Sequence, residues 1–316
     1  MSGARTAGGG VDAITFGESM ALFAADTPGD LAGTRRFTRR LAGADSNVAI
    51  GLARLGLVVD WTSRVGDDAF GRFIRDALAA EGIDTAHIVV DADRPTGLQI
   101  KSRTVDGGDP ETQYYRRGSA ASALQPADLP AARLAGARHL HCTGIPAAIS
   151  DSAHALCHHA MDAMRAAGGT ISFDPNLRPS LWSSTATMRE AINALAAKAD
   201  WVLPGVDEGE ILTGARDPKT IAGFYLRAGA REVAVKLGAE GAYWQSRDDH
   251  RRVSGREVAE VVDTVGAGDA FAVGFISARL EGLAPDAALE RANAIAARVI
   301  QYPGDSDGLP YRHELD

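Results

Sequence analysis

Residues Asp263–Phe271 read DTVGAGDAF and run directly into an apolar segment, AVGFISARLEG, at residues 272–282. The apolar segment predicts a helix over residues 267–281. Gly266, Ala267 and Gly268 can expose successive backbone N–H groups at its N-terminus, where unpaired donors and the helix dipole favour an anion. We therefore predict an anion-binding site at the start of this helix.

Asp269 lies at the same helix start, where its carboxylate would repel a bound phosphate. The placement is favourable if Asp269 accepts a proton from the nucleophile that attacks that phosphate. The motif then supplies both the charge stabilisation and the base of a phosphoryl transfer. The alternative is an ordinary glycine-rich turn in which Asp269 caps the helix.

Strand-like and helix-like segments alternate along the rest of the chain. Strands that alternate with helices of this length imply an α/β protein with a parallel sheet covered on both faces. We expect Asp45 or Ser46 to be the N-cap of the first helix. The predicted strands are residues 11–16, 58–63, 139–143, 170–174, 201–203 and 232–236, and the predicted helices are 45–55, 69–81, 152–167, 187–198, one from 207, and 267–281.

Two non-helical segments, about 18–41 and 95–118, interrupt this alternation. The second contains a turn signal at Gly107–Pro110 and predicts a hairpin. We expect both segments to form one small β-sheet that lies as a lid over a single domain spanning residues 11–316. The glycine-rich residues 1–10 are expected to be a disordered tail.

The composition excludes several classes of function. A formal net charge of −8, from 33 Lys and Arg against 41 Asp and Glu, argues against a nucleic-acid or anionic-membrane surface. No apolar run reaches the ~18 residues that a bilayer requires. Cys142 and Cys157 do not form a CxxC pair, and two cysteines are too few for a disulfide framework. We expect a cytoplasmic protein.

Two common nucleotide-binding motifs are absent from the sequence. None of the lysines lies in a G-x-x-x-x-G-K-[ST] context, which excludes a P-loop. No G-x-G-x-x-G follows a predicted strand, which argues against a dinucleotide-binding dehydrogenase.

From about residue 12 to residue 312 the chain resembles the ribokinase-like sugar kinases of the PfkB family. DTVGAGDAF is similar to the C-terminal signature of that family, and GADSNVA at residues 43–49 to its N-terminal signature. Residues 65–71 and 173–178 are similar to two further family segments. The resemblance implies a three-layer α/β/α sandwich with a mostly parallel central sheet and a β-sheet lid. It also implies ATP and Mg²⁺ as cofactors, with Asp269 as the catalytic base.

The segment YYRRGSA at residues 114–120, with NLR at residues 176–178, resembles the 2-keto-3-deoxygluconate kinases of that family. The resemblance implies phosphorylation of the 6-hydroxyl to give 2-keto-3-deoxy-6-phosphogluconate. Arg116 and Arg178 suit the carboxylate of such a sugar acid through forked hydrogen bonds. Tyr114 lies on the same strand face as Arg116. Alternatively, Arg116 is solvated, Tyr114 packs the lid, and Arg178 holds ATP phosphates.

The resemblance also implies the remaining site residues. Gln99 stands where these kinases often have tyrosine, and Gly205 replaces the first residue of the N-x-x-E element that ends at Glu208. No side chains are assigned as metal ligands. The predicted substrate-binding residues are Gly43, Asn47, Gln99, Tyr114, Arg116, Arg178 and Asp269, and the predicted ATP-binding residues are Asn176, Arg178, Glu208, Lys236, Gly238, Gly241, Gly266, Ala267, Gly268 and Asn293.

Other functions stay open at this stage. A kinase of the same family could act on a neutral sugar, fructose or ribose, or on another sugar acid. A more distant alternative is a non-catalytic sugar-sensing protein on a kinase fold. Because exposed strand edges of a lid need cover, we expect a homodimer or a higher homo-oligomer that pairs through the lid.

Overall fold

A computed structural model describes residues 10–103 and 110–315. The predicted tail, except residue 10, and most of the predicted turn at 107–110 lie outside these residues. The strands are β1 (Val11–Phe16), β2 (Met20–Ala25), β3 (Phe37–Ala42), β4 (Val59–Gly66), β5 (Ile88–Asp91), β6 (Leu98–Lys101), β7 (Thr112–Tyr115), β8 (Ala137–Thr143), β9 (Thr170–Asp174), β10 (Trp201–Val202), β11 (Glu232–Lys236), β12 (Ala242–Ser246) and β13 (His250–Val253). The helices are α1 (Ala44–Arg54), α2 (Ala69–Ala80), α3 (Ala131–Leu134), α4 (Ile145–Ile149), α5 (Asp151–Ala166), α6 (Thr185–Ala196), α7 (Val206–Thr213), α8 (Pro218–Ala228), α9 (Ala267–Leu280) and α10 (Pro285–Val299).

The larger sheet is mostly parallel and is covered on both faces. Within the described residues its strand order is β13-β12-β11-β10-β9-β8-β1-β4-β5. The pairs β11–β12 and β12–β13 are antiparallel, and the other neighbouring strands are parallel. Side chains alternate between the two faces, so Ala13 packs in a core with α1, α2, α9 and α10, while Ile14 packs in a core with α5, α6 and α8. The predicted α/β/α sandwich is confirmed.

Strands from both predicted inserts pair in a second, smaller sheet. Its order is β3-β2-β6-β7, in which β2 and β6 run parallel and the outer pairs run antiparallel. The two segments are joined in one sheet although α1, β4, α2 and β5 separate them in the sequence. This small sheet lies beside the carboxyl ends of the main-sheet strands.

The predicted N-cap of α1 is wrong. Gly43 is the N-cap, with φ +150°, and a Cβ there would lie 2.4 Å from the carbonyl oxygen of Glu18. Ser46 donates its hydroxyl to the Gly43 carbonyl, and the carboxylate of Asp45 accepts from Thr143 instead of from its own helix. Close packing of two loops therefore decides how this helix begins.

Some elements were not predicted. The hairpin β12–β13 was missed because the prediction expected a helix after every strand. Strand β5 was missed because it has only four residues. The helices α8 and α10 were also missed, although Pro218 and Pro285 at their first positions are helix-start signals. In the described part of the chain, no helix combines the length and the apolar character that crossing a membrane requires.

Candidate active site

A cavity of about 340 Å³ lies at the carboxyl ends of the parallel strands, where open α/β sheets place their ligands. One wall consists of loops that follow β1, β9, β10 and β11, a second wall is the small sheet, and the floor is the N-terminus of α9. Among its lining residues are Glu18, Gly43, Asp45, Asn47, Gln99, Tyr114, Arg116, Asp174, Asn176, Arg178, Glu208, Lys236, Gly266, Gly268, Asp269 and Asp305. The predicted substrate-binding residues are thus brought together in one cavity.

The start of α9 has the geometry that the glycine-rich motif predicts. Gly266 is the N-cap, with φ +87°, and a Cβ at this position would lie 2.5 Å from the backbone oxygen of Asp305. Both the positive φ and the close approach therefore require glycine. A Cβ at Gly268 would lie 3.4 Å from Lys236 Nζ, so the first turn of α9 faces a half-buried positive charge.

Two side-chain amides hold the carboxylate of Asp269. Asn47 Nδ2 donates to Asp269 Oδ2 over 2.8 Å, and Asn176 Nδ2 donates to Oδ1 over 3.2 Å. Asn176 lies two residues after the end of β9 and has a left-handed backbone conformation, with φ +39°. Burial raises the pKa of Asp269, while the hydrogen bond from Asn47 and the charge of Arg178 oppose that rise. The result is an oriented carboxylate in a cavity.

Two carboxylates, Asp174 and Glu208, lie next to Lys236 at the end of β11. Lys236 Nζ lies 2.7 Å from Asp174 Oδ2 and 3.9 Å from Glu208 Oε2. Glu208 accepts hydrogen bonds from the backbone N–H groups of Gly205 (2.7 Å) and Leu177 (2.9 Å). Gly205 donates from its backbone and needs no side chain for this contact. Glu208 is therefore held in place although position 205 is a glycine.

Arg116 on the small sheet forms an ion pair that the sequence did not indicate. Its Nη2 lies 2.5 Å from Glu18 Oε2, and Ser119 donates its hydroxyl to the other oxygen of Glu18. Glu18 lies two residues beyond the end of β1, at the same sheet edge as the other site residues, but a lone carboxylate in that position is not a distinctive sequence signal. Arg116 is buried, which contradicts the alternative that it is a solvated residue.

Three polar atoms of the cavity-lining residues are buried without a hydrogen-bond partner among the described residues. Glu18 Oε2 is one of them, and it is ion-paired with Arg116. The other two are Arg116 Nε, a donor, and Asn47 Oδ1, an acceptor. A buried polar atom is costly when nothing satisfies it. One donor and one acceptor left open in the same cavity point to a polar ligand.

Four predicted ATP-binding residues do not line this cavity, and one of them is Ala267, between the lining residues Gly266 and Gly268. Gly238 borders an adjoining cleft that shares Glu208 and Lys236 with it. A Cβ at Gly241 would lie 2.1 Å from the Val253 backbone oxygen, and Asn293 Nδ2 donates to the backbone oxygens of Val253 and Ser254. Gly241 and Asn293 therefore meet at one backbone segment beyond the cavity.

The sequence also missed Asp45 as a cavity residue. Burial, with the nearby charge of Asp269, raises the pKa of Asp45 to about 8, against opposing hydrogen bonds from Thr143. Residues 10–103 and 110–315 contain no group of three or more His, Cys, Asp or Glu side chains that could hold a metal ion.

Comparison with known proteins identifies the family of this chain. The sequence pattern of the pfkB family carbohydrate kinases matches residues 12–312. The chain belongs to this family. Among curated relatives of this pfkB kinase is the 2-dehydro-3-deoxygluconokinase of Bacillus subtilis (strain 168), which is 52% identical over 306 residues, 96% of this chain and 94% of that protein.

Solved structures of similar proteins have the same fold as this pfkB kinase. A PfkB protein from Polaromonas sp. JS666 is 52% identical, with a TM-score of 0.89 over 96% of this chain and 99% of that chain. An E. coli protein assigned as a ribokinase II, solved in complex with ATP and Mg²⁺, is 28% identical, with a TM-score of 0.89 over 96% of this chain and 97% of that chain.

The raised pKa of Asp45 predicts a pH-dependent stability. Between about pH 4 and pH 8 the folded chain keeps a proton that the unfolded chain loses, so the free energy of unfolding falls as the pH rises. Asp45→Asn removes this penalty. We expect the free energy of unfolding of the variant, relative to that of the wild type, to increase by about 1–3 kcal/mol from about pH 5 to about pH 8. Urea denaturation at the two pH values measures this change.

Asp76→Asn is the control, because Asp76 is an exposed aspartate on α2. Its stability relative to the wild type should be the same at both pH values. A pH-independent difference for Asp45→Asn as well would contradict the assignment of a protonated Asp45.

Proposed function

We propose that this pfkB kinase transfers the γ-phosphoryl group of ATP to the 6-hydroxyl of 2-keto-3-deoxygluconate, giving 2-keto-3-deoxy-6-phosphogluconate and ADP. The observation that carries the proposal is one cavity in which an oriented Asp269, a helix N-terminus and two arginines meet. The 52% identity to the B. subtilis 2-dehydro-3-deoxygluconokinase supports the choice of substrate.

Asp269 would be the general base of the reaction. The 6-hydroxyl oxygen forms a bond to the γ-phosphorus, and its proton passes to Asp269. The bond between that phosphorus and the β,γ-bridging oxygen breaks, and ADP leaves with the electron pair. The two amides that orient the carboxylate support this role, as does a pKa that burial raises.

The backbone N–H groups of Gly266, Ala267, Gly268 and Asp269 would stabilise the charge on the transferred group. They lie at the N-cap and in the first turn of α9, where no earlier turn of the helix accepts from them, although the Ala267 N–H also donates to the Thr264 carbonyl over 3.4 Å. Lys236, which approaches Gly268, would add a positive charge next to the phosphates.

Arg116 and Arg178 would bind the carboxylate of the substrate. Glu18 occupies one side of the Arg116 guanidinium, so its fork is held in place and Nε is left to donate. Arg178 Nη1 donates to the Leu177 backbone, which fixes the second guanidinium at the end of β9. Gln99 and Tyr114 lie in the same cavity and would contact the sugar hydroxyls.

The residues present fit ATP and Mg²⁺. The adjoining cleft at Gly238 offers room next to Lys236 for the nucleoside, and Gly241 and Asn293 would shape its far side through the 253–255 backbone. Asp174 and Glu208 are the carboxylates that contact Lys236, next to which the phosphates would lie. Mg²⁺, bound mainly by the phosphates, would neutralise their charge. The ATP- and Mg²⁺-bound relative supports this assignment.

Asp269→Asn tests the base. The amide keeps the size of the side chain but cannot accept the proton, so we expect kcat to fall by about 10²–10⁴-fold with KM changed little. Steady-state kinetics in a coupled ADP-release assay measure both constants. Asp76→Asn, on an exposed aspartate of α2 that lines neither the cavity nor the adjoining cleft, is the control and should keep the wild-type rate. A near-normal kcat for Asp269→Asn would remove the base assignment.

The substrate is tested in the same assay with MgATP and a panel of acceptors. We expect turnover on 2-keto-3-deoxygluconate and its galactonate epimer, and none on fructose, ribose or adenosine. Turnover on a neutral sugar alone would leave the phosphoryl transfer standing and replace the substrate. Silence on the whole panel would favour a non-catalytic sugar-binding protein.

The carboxylate contact is tested by a double variant, because Arg116→Ala alone would leave Glu18 buried and unpaired. Glu18→Gln with Arg116→Gln removes both charges together. We expect kcat/KM for the sugar acid to fall about ten- to a hundredfold, the cost of a hydrogen bond to a charged group. An unchanged kcat/KM would show that Arg116 does not bind the carboxylate. Glu18→Gln with Arg116→Lys keeps a positive charge and should lose less.

We also propose that two copies pair through the small sheet. Its outer strand β7 has an open edge, and Tyr115 on it is 58% exposed. Tyr115→Asp is expected to convert a dimer to a monomer in light scattering coupled to size-exclusion chromatography. Val58→Asp, at an equally exposed apolar residue at the opposite end of the main sheet, is the control and should stay dimeric. A wild-type monomer would contradict the proposal.

A further inference from the structure

Lys101 is a buried lysine that the proposed chemistry does not use. The chain has four lysines, and the side chain of this one, at the end of β6, is only 2% exposed. A lysine is almost never fully buried unless it is paired, because removing its charge from water is costly. The place of Lys101 in the interior therefore requires an explanation.

The ammonium group joins two carboxylates from separate parts of the chain. Lys101 Nζ lies 2.6 Å from Asp263 Oδ2 and 2.8 Å from Asp305 Oδ1. Both aspartates are also buried. Although burial alone lowers the pKa of Lys101, the charges of Asp305 and Asp263 raise it above the usual value, so the group stays charged.

Both carboxylates belong to segments that shape the start of α9. Asp263 opens the glycine-rich motif, and its Oδ1 accepts the backbone N–H of Val265 over 3.0 Å. The backbone oxygen of Asp305 lies 2.5 Å from the position that a Cβ of Gly266 would take. By holding Asp263 and Asp305 together, the ammonium holds the turn that ends at Gly266.

The same strand reaches the substrate cavity. Gln99 and Lys101 alternate with the more exposed Leu98 and Ile100 and therefore share a face of β6. Gln99 lines the cavity, whereas Lys101 reaches the α9 turn. A further contact between the small sheet and this part of the chain is the ion pair of Arg40 on β3 with Asp307.

The charge of Lys101 also matters for an anionic ligand. Asp305 lines the cavity, and its charge raises the pKa of Asp269. Without the ammonium, Asp263 and Asp305 would be two uncompensated carboxylates beside the N–H groups that are to bind a phosphate. Their repulsion would oppose both the turn and the anion.

We propose that the Lys101 ammonium is a built-in cation that positions the Gly266–Asp269 turn and couples it to the small sheet. Lys101 is a positioning residue, because it acts through Asp263 and Asp305 and not on the reacting atoms. The inference rests on the proposed phosphoryl transfer at this turn. It predicts that the rate depends on the ammonium more than substrate binding does.

Lys101→Ala leaves a space bounded by two carboxylates, which a small cation can enter. We expect kcat to fall about a hundredfold, the cost of displacing a reacting group by about 1 Å, with KM for the sugar within about threefold of the wild type. Added ammonium chloride should restore kcat about tenfold or more. Tetramethylammonium chloride at equal ionic strength should not, because that ion is too large and donates no hydrogen bonds.

A second variant keeps the test valid if Lys101→Ala does not fold. Lys101→Met with Asp305→Asn has the same net charge as the wild-type group, because Asp263 then remains as the one carboxylate in excess. Because the link across the turn is still lost, we expect kcat to stay about a hundredfold low in this variant. Lys198→Met removes a lysine paired with Asp162 on the outer surface and should retain the wild-type kcat.

Two results would overturn the inference: a wild-type kcat in the double variant, or a folded Lys101→Ala enzyme that responds equally to ammonium and tetramethylammonium. The wild-type enzyme separates this outcome from failure of the proposed function. All variants are compared on whichever acceptor the wild type phosphorylates. A wild type without turnover on any acceptor contradicts the function, whereas a normal wild type with indifferent Lys101 variants contradicts only the role of Lys101.

Discussion

The carboxylate of Asp269 is held by two amides, and the rest of the site depends on that arrangement. Asn47 comes from the first helix and Asn176 from the loop after β9, so two distant parts of the chain must meet at the start of α9. The left-handed conformation of Asn176 and the glycine at position 43 permit this approach. Both oxygens of Asp269 accept from side-chain amides and the N-cap is Gly266, so this carboxylate is not a helix cap and suits the proposed role of a base.

The site balances an unusual density of acidic groups with a few buried cations. Asp174 and Glu208 surround Lys236, Glu18 faces Arg116, and a lysine from the small sheet lies between two further aspartates. An anionic ligand can enter such a cavity only where positive charge remains unsatisfied. The carboxylates therefore orient the cations but also cancel part of their positive charge. The N-terminus of α9 supplies further attraction for an anionic ligand.

The fold was largely predictable because its signals are local. The strands at 11–16, 170–174 and 232–236 were predicted with the bounds that the structure has, since each is an apolar run with a clear end. The hairpin β12–β13 was not, because the alternation of strands and helices does not indicate where a sheet ends. Glu18 and Asp45 were missed as site residues for a related reason: a lone carboxylate after a strand or at a helix start carries no distinctive pattern.

The sequence alone determined the family, the glycine-rich turn and the residue types that carry the chemistry, because these depend on short motifs with strict backbone requirements. Only the tertiary structure decided which charges are paired. Arg116 with Glu18 and Lys101 with Asp263 are separated by 98 and 162 positions, and nothing local indicates either pair. Pairing across such distances follows from how the two sheets pack, since burial forces each charge to find a partner.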